Sequence, residues 1–531
     1  MIGTWNLVRL ALRRDRIILP IWVLALVGIT ASTTTALEEL YSSPESRKLL
    51  GITANSNAAF LSMLGPLHDS STLGGLLAWR WGVFAALFAG IMSLLLVTRH
   101  TRAEEETGRL ELISATVVGR HASLAAAIIV AAGANVLIGL LIAGLLLGKG
   151  LPAQGVLAFA SSIVVTGLVF TGASALTAQL SENSRTANSM AGALLGAAYV
   201  VRGAGDSAGD NGPEWLTWVS PLGWAEQVRA FAGDRYWVFA IPLAVFVLTI
   251  AAAAVIVTKR DVGLALLPTR LGPARGASSL RSPFALAWRL QRGTLIGWTI
   301  GLFIVGVVYG SVAGAVGDMV RDNPALAKIV NEIGGEGGVT DAFIATVTQI
   351  MGLIGSVYLV QSTLRMRSEE TSLRAEPVLA TRVTRVGWVA SHAVFPLVGG
   401  AVVLAAGGLG FGLLHGAREN DLGGVVPKLI GASLAQLPAA WVVAGVALAL
   451  FGLFPQLTGV SWAVLATSLL VTLLGPALQL DQWVLDIVPY THIPKLPGAS
   501  WTFEPFLWLT GVAVLLLAAG FIGFRRRDLT T

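Results

Sequence analysis

The chain has 531 residues, of which 54% are hydrophobic and 12% charged, and its formal net charge is +6. Soluble domains carry about 25% charged residues, so this composition excludes a soluble globular protein, and the absence of cysteine excludes disulfides and thiolate metal sites. The apolar residues fall in runs of about 20, the length that crosses a bilayer core. Lys and Arg gather on the cytoplasmic loops of membrane proteins, which explains the basic charge without nucleic acid. The sequence therefore predicts an all-α integral membrane protein in contact with lipid.

Six spans are predicted in each half of the chain. In the first half, residues 1–257, a short basic amphipathic segment precedes the first span, and the six spans are predicted at 17–37, 76–98, 122–147, 153–179, 186–203 and 236–257. Residues 258–285 are rich in Pro and Gly and are predicted to form a cytoplasmic linker. In the second half, residues 286–531, the spans are predicted at 293–314, 342–362, 391–414, 427–450, 457–478 and 505–524.

The distribution of basic residues predicts how the chain crosses the membrane. With the N-terminus inside and strict alternation, 24 of the 36 Lys and Arg residues fall in cytoplasmic segments. Because Lys and Arg favour the cytoplasmic side, we expect about twelve transmembrane helices with both termini in the cytoplasm.

The two halves begin and end alike. LALRRDR at 10–16 and LAWRLQR at 286–292 are each followed by a tryptophan six residues later, and five of these eight positions are identical at a constant offset of 276. KRD at 259–261 ends the first half, and RRD at 526–528 ends the second. An even number of spans per half lets both halves enter from the same side. The sequence thus predicts two tandem, parallel six-helix repeats related by an axis along the membrane normal.

Two predicted cytoplasmic loops share a pattern of charges. The first charged loop, residues 99–121, contains RAEEETGRLE at 102–111, and the second charged loop, residues 363–386, contains RSEETSLRAE at 367–376. With one inserted residue, the loops share Glu-Glu-Thr, Arg, Glu, Ala-Thr and Arg. Carboxylates and arginines at one-turn spacing can fix the register of a helix that docks on a soluble partner, whereas a plain solvated loop needs no such repetition. The candidate docking residues are Glu104, Glu105, Glu106, Thr107, Gly108, Arg109 and Glu111 in the first charged loop and Glu369, Glu370, Thr371, Arg374 and Glu376 in the second.

The chain lacks motifs for chemistry of its own. It contains no Gly-x-x-x-x-Gly-Lys-[Ser/Thr] phosphate loop, no His/Cys metal cluster and no hydrolase elbow. No carboxylate lies in the middle of a predicted span, although ion-coupled transporters usually place coordinating groups there. Arg80 lies near the outer end of its span, where its side chain can reach the interface. We therefore expect no catalytic residue, metal or cofactor on this chain, and an energy source outside the bilayer.

These residues resemble the ABC-2-type permeases of actinobacteria that export polyketide antibiotics, the tetronasin-type or multidrug group. The similar strings are EETGRLE at 105–111, WVSPLGW at 218–224 and KRDVG at 259–263, and the second charged loop departs from this pattern at 372–376. The resemblance implies a bacterial plasma membrane exporter of amphipathic or hydrophobic compounds. It also implies that both charged loops act as coupling helices on two copies of a separate ATPase subunit, which carries ATP and Mg.

Two other functions stay open from the residues alone. A secondary transporter with six plus six spans would be independent of ATP, and the missing mid-span carboxylates count against it. A membrane-embedded transferase would need paired acidic residues at one membrane face. The acidic pairs here, Glu104 to Glu106 and Glu369 with Glu370, lie beside arginines in matching loops instead.

Overall fold

The computed structural model describes residues 2–56, 58–109, 117–207, 213–261, 264–266, 272, 274–322, 336–474, 481–499 and 501–528. The chain divides into two compact units, Met1–Gly272 and Pro273–Thr531. This division falls within residues 258–285, although the bounds predicted for the two halves and their linker stay a prediction. Most of the described residues are helical, and none of them forms a strand.

The first unit contains twelve α-helices among its described residues, and a 3-10 helix (Tyr236–Phe239) precedes the last of them. They are α1 (Thr4–Arg14), α2 (Ile18–Leu40), α3 (Pro44–Ser56), α4 (Ala58–Leu64), α5 (Leu73–His100), α6 (Arg102–Glu106), α7 (Ala122–Gly148), α8 (Ala153–Leu180), α9 (Ser184–Asp206), α10 (Trp215–Val219), α11 (Pro221–Gln227) and α12 (Ala240–Lys259).

In the second unit, the described residues form ten α-helices, two of which join through a π-helical turn at Phe395–Gly399. They are α13 (Pro283–Asp322), α14 (Glu336–Thr371), α15 (Ala375–Leu379), α16 (Arg385–Val394), α17 (Gly400–Arg418), α18 (Leu422–Leu434), α19 (Leu437–Leu453), α20 (Val460–Leu474), α21 (Gln482–Asp486) and α22 (Glu504–Arg526).

Ten segments in the described part of the chain are long and apolar enough to cross a membrane. They coincide with ten of the twelve predicted spans, which confirms the all-helical membrane class. The other two predictions correspond to α9 and α20. Helix α9 carries Arg185, Arg202 and Asp206, and α20 has only 15 residues. Neither is among the ten segments, so the count of twelve is not confirmed.

Polar side chains join the central helices of the first unit. The Nδ2 of Asn135 on α7 donates to Ser93 Oγ on α5 at 2.8 Å, and the Ser174 hydroxyl on α8 donates to the Leu94 carbonyl at 3.0 Å. These side chains are all buried. Because unsatisfied polar groups are costly inside an apolar core, the bonds favour one arrangement of α5, α7 and α8.

Glycines allow close packing of α13 against α17 in the second unit. A Cβ at Gly306 would lie 2.1 Å from the Gly407 carbonyl oxygen, and one at Gly310 would lie 2.5 Å from the Phe411 carbonyl oxygen. Small residues at such crossings let helix backbones approach each other. A backbone carbonyl cannot rotate away as a flexible side chain can. With α13 and α17 this close together, only glycine fits at positions 306 and 310.

We expect Gly306→Ala to destabilise the protein by about 1–3 kcal/mol, the usual cost of overpacking a core. Gly301 is the matched control, because a Cβ there meets nothing within 4 Å in the described part of the chain and alanine favours a helix over glycine. Thermal unfolding in detergent should therefore show a lower Tm for Gly306→Ala and an equal or higher Tm for Gly301→Ala. Equal shifts for both variants would contradict the packing described.

Candidate functional site

The first charged loop begins where α5 ends and turns into α6. Of its predicted docking residues, Glu104, Glu105 and Glu106 lie on α6, followed by Thr107, Gly108 and Arg109, whereas Glu111 lies outside the described residues. The three carboxylates have different surroundings. The side chain of Glu105 is only 6% exposed, whereas Glu106 is exposed.

Glu105 lies between two arginines, Arg102 and Arg260. We call these three residues the first Arg–Glu cluster. Arg260, just after α12, donates through Nη2 to Glu105 Oε1 at 2.6 Å and through Nη1 to Oε2 at 2.9 Å. Arg102, whose side chain is 1% exposed, pairs with the same carboxylate. Arg260 also donates to Gln179 Oε1 at 2.8 Å. Two-point pairing of this kind is strong and directional, so it fixes the first charged loop to the end of α12.

The flanking carboxylates contact other helices of the unit. Glu104 pairs with Arg14 at the end of α1 at 2.7 Å and lies 3.7 Å from Arg109. Glu106 accepts hydrogen bonds from the backbone N–H and the hydroxyl of Ser184 at 3.1 and 2.6 Å, at the N-terminus of α9. A carboxylate is favourable at a helix N-terminus. The first charged loop is thus joined to α1, α9 and α12 together.

The second charged loop contains an equivalent arrangement, the second Arg–Glu cluster. Arg527, just after α22, donates through Nη1 and Nη2 to the two oxygens of Glu370 at 2.6 and 2.8 Å. Arg367 donates to the same carboxylate at 3.3 Å. The Arg527 guanidinium also lies 5.2 Å from the Phe451 ring centre and 5.0 Å from that of Phe524. These contacts fix the second charged loop to the end of α22.

The remaining residues predicted in the second charged loop divide between buried and exposed positions. Glu369 is buried and pairs with Arg365 at 2.7 Å and with Arg374 at 2.8 Å. Thr371, Arg374 and Glu376 are exposed. The exposed residues form a surface that a partner could reach, whereas Glu369 and Glu370 are occupied within the chain.

The geometry matches the two loops without an insertion, which corrects the register expected from the sequence. At a constant offset of 265, the ion-pairing positions correspond as Arg102 with Arg367, Glu104 with Glu369, Glu105 with Glu370 and Arg109 with Arg374. In each unit the arginine three residues before the central glutamate pairs with it. The shared Glu-Glu-Thr string predicts a different register, but the ion-pair partners of the side chains identify which positions of the two loops are equivalent.

A further arginine in each loop supports this register. Arg120 donates to the carbonyls of Val257 and Arg260 at 3.0 and 2.6 Å. Arg385, at the same offset of 265, donates to the Arg527 carbonyl at 2.6 Å. Both arginines satisfy carbonyls at the end of the last helix of their unit, where intrahelical partners are missing.

A left-handed residue ends the helical part of each loop. Gly108 has φ +70° and Leu373 has φ +57°. The Leu373 N–H donates to the Glu370 carbonyl and the Arg374 N–H to the Glu369 carbonyl, both at 2.9 Å. This pattern is the Schellman motif, whose left-handed position favours glycine. A leucine there costs about 1–2 kcal/mol, so the second charged loop retains a strained residue where the first has glycine.

A buried charged cluster lies at the opposite end of α5, and sequence reasoning missed it. The Arg202 side chain on α9 is fully buried and lies 3.4 Å from both Asp206 and Glu226, which is on α11. Arg202 also donates to the carbonyls of Ser62 and Met63 at 2.7 and 2.9 Å. This Arg202 cluster joins α4, α9 and α11. Only the arginine within the apolar run 186–203 could have signalled it.

The Arg202 cluster contains a carboxyl group with an altered pKa. Burial, with the neighbouring Asp206 carboxylate, raises the pKa of Glu226 from 4.5 to about 8. Because the folded-state pKa lies above the unfolded value, the folded protein binds a proton that the unfolded chain has released. The resulting stabilisation is complete below pH 4.5 and is lost as the pH rises through about 8.

We therefore expect the Tm in detergent to fall over this pH window. Glu226→Gln should remove the part of this fall that ionisation of Glu226 causes, because the glutamine amide cannot ionise. His68, whose pKa is lowered to about 4 by burial and by Arg229 and Arg235, acts in the opposite direction at lower pH. The difference between the wild-type and Glu226→Gln curves isolates the carboxyl group. Parallel curves from pH 5 to 9 would contradict a raised pKa.

Residues 280–525 match the family described as multidrug efflux system permease Rv1217c, C-terminal domain. The chain is 40% identical over 527 residues to the multidrug efflux system permease protein Rv1217c of Mycobacterium tuberculosis (strain ATCC 25618 / H37Rv). The similarity covers 99% of this chain and 95% of the relative.

Proposed function

This chain belongs to the family of the multidrug efflux permease Rv1217c, and from that premise we propose that it is the membrane subunit of an ATP-driven exporter. The membrane-spanning helices and the full-length similarity support a permease. The observation that carries the proposal is the matched pair of charged loops, each with exposed polar residues outside a buried Arg–Glu cluster. Matched loops suit two copies of one soluble partner.

The proposal extends to the architecture of the chain. We assign it to the ABC-2-type exporters, with twelve spans in two tandem parallel repeats and both termini in the cytoplasm of a bacterium. The same Arg–Glu geometry in each unit supports the repeat. Because the chain contains no phosphate loop, ATP and Mg would bind to the partner ATPase.

Burial separates the predicted docking residues into two groups. The exposed residues would contact the ATPase; they are Glu106, Thr107 and Arg109 in the first charged loop and Thr371, Arg374 and Glu376 in the second. Glu105 and Glu370 are buried and fully paired, so we assign them a positioning role. Each holds its loop against the last helix of its unit.

This arrangement suggests how a motor could act on the membrane helices. When the ATPase subunits close on ATP, they would move the charged loops they contact. The Arg–Glu clusters would transmit that displacement to α12 and α22, because the paired groups are buried and the hydrogen bonds between them are directional. The ATPase can shift the permease between conformations only by contacting them differently. The cargo would be an amphipathic or hydrophobic small molecule, and the relative is named a multidrug efflux permease.

The energy source is tested in inverted membrane vesicles that contain this chain and a phosphate-loop ATPase encoded by a neighbouring gene. We expect uptake of amphipathic fluorescent compounds on addition of ATP and Mg. A catalytic-glutamate variant of the ATPase is the matched control and should abolish uptake. Uptake driven by a proton gradient without ATP would indicate a secondary transporter instead. Metal-dependent turnover of a lipid without the ATPase would indicate a transferase.

A further inference from the structure

The tip of the second charged loop carries an apolar side chain in a position that favours glycine. We propose that Leu373 is an anchor that inserts into a pocket of the ATPase subunit docked on the second charged loop, and that the two docking sites therefore differ. This inference rests on the proposed function and names the residue that distinguishes its two contact sites.

The backbone at Leu373 shows that the leucine does not serve the helix end. Its φ of +57° is left-handed, and Gly108 fills the equivalent place at +70°. A Cβ at Gly108 would meet none of the described residues within 4 Å, so glycine is not required there to avoid a clash with them. Glycine is the unstrained residue at such a helix end. A strained residue that the local fold does not need indicates a functional constraint.

Packing within the unit does not explain Leu373 either. Its side chain is 52% exposed. The neighbouring Ala375, Val378 and Leu379 pack in a cluster with Trp388. In the described part of the second unit, Leu373 belongs to no such hydrophobic cluster. Its apolar surface is therefore free to be buried against another molecule.

The residues around Leu373 favour a protein partner over lipid. Thr371, Ser372, Arg374 and Glu376 are all exposed beside it. An apolar residue within a polar rim is typical of a protein interface. A segment that enters the membrane interface usually presents Trp or Tyr, and the described residues 371–376 contain neither. The mixed charges of Arg374 and Glu376 also suit a partner that carries both signs.

The consequence is an asymmetric permease. Among the described residues of the first charged loop, Gly108 fills the equivalent position and offers no side chain there. One ATPase subunit would therefore meet an apolar anchor at this position and the other would not. We expect the second charged loop to hold its ATPase subunit more tightly.

The test uses Leu373→Gly, which relieves the strain and removes the anchor together. We expect its Tm in detergent to equal or exceed that of the wild type, while its affinity for the phosphate-loop ATPase falls about tenfold or more. Affinity is measured with the purified, full-length proteins by biolayer interferometry. A residue with a merely structural role would lower both quantities together.

Two further variants keep the result interpretable. Leu373→Asn tolerates the left-handed backbone without an apolar side chain and should behave like Leu373→Gly. Leu373→Met keeps an apolar side chain and should retain most of the affinity. Wild-type affinity in Leu373→Gly, or a lower Tm in that variant, would overturn this inference alone. Failure of the wild-type chain to bind the ATPase would overturn the proposed function as well.

Discussion

Glu105→Ala is expected to lower the free energy of unfolding by about 3–5 kcal/mol, the cost of leaving buried charges without their partner. Arg102 and Arg260 are 1% and 7% exposed and would lose the carboxylate that both contact. Glu370→Ala should cost less, because Arg367 and Arg527 are more exposed and Arg527 keeps its two aromatic neighbours. Thermal and denaturant unfolding in detergent would measure both.

Glu376→Ala is the control for these variants, because Glu376 is exposed and such substitutions usually change stability by less than about 0.5 kcal/mol. The double variant Glu105→Gln with Arg260→Gln removes one charge of each sign and should recover part of the loss. If Glu105→Ala and Glu376→Ala unfold alike, Glu105 is a surface residue and the positioning role is wrong.

Arg202→Leu is expected to cost about 3–5 kcal/mol near pH 8, since Asp206 and Glu226 would stay buried together without a cation. The loss should be smaller at pH 5, where Glu226, with its pKa raised to about 8, is protonated and neutral. The variant also loses the bonds from Arg202 to the Ser62 and Met63 carbonyls. Unfolding curves at the two pH values measure both effects.

Arg80→Leu is the matched control for Arg202→Leu. Arg80 is exposed on α5, so its replacement should change the free energy of unfolding by less than about 0.5 kcal/mol at either pH. A loss in Arg202→Leu that is the same at pH 5 and pH 8 would show that the hydrogen bonds of Arg202 matter and that its charge does not.

The spans could be predicted because they depend on composition alone. In lipid, a run of about 20 apolar residues can satisfy the hydrogen bonds of its backbone N–H and C=O groups only by forming a helix, whatever its neighbours are. The predicted spans 186–203 and 457–478 are not among the ten apolar segments, and Arg202 makes the first of these helices less apolar. That arginine is buried against Glu226, 24 residues later on another helix, and no local pattern connects the two.

The charged loops could be found from their repeated sequence pattern, but the roles of their individual residues could not be predicted from it. Burial separates Glu105 from Glu106, although the two are adjacent and chemically alike. The partners of Glu105 and Glu370 are Arg260 and Arg527, more than 150 residues away. The matching KRD and RRD endings of the two halves contain these arginines, yet pairing across that distance depends on how the helices pack.

We expect a soluble ATPase to contact the exposed faces of both charged loops. Because the chain has no cysteine, single cysteines at Thr107 and Thr371 can be tested for cross-linking to the ATPase with a short thiol-to-amine reagent in intact vesicles. Cross-links are expected from both positions, with none from a cysteine at Glu214 near the opposite end of α5. Cross-links from Glu214 alone, or from none of the three with an ATPase that still drives transport, would contradict it.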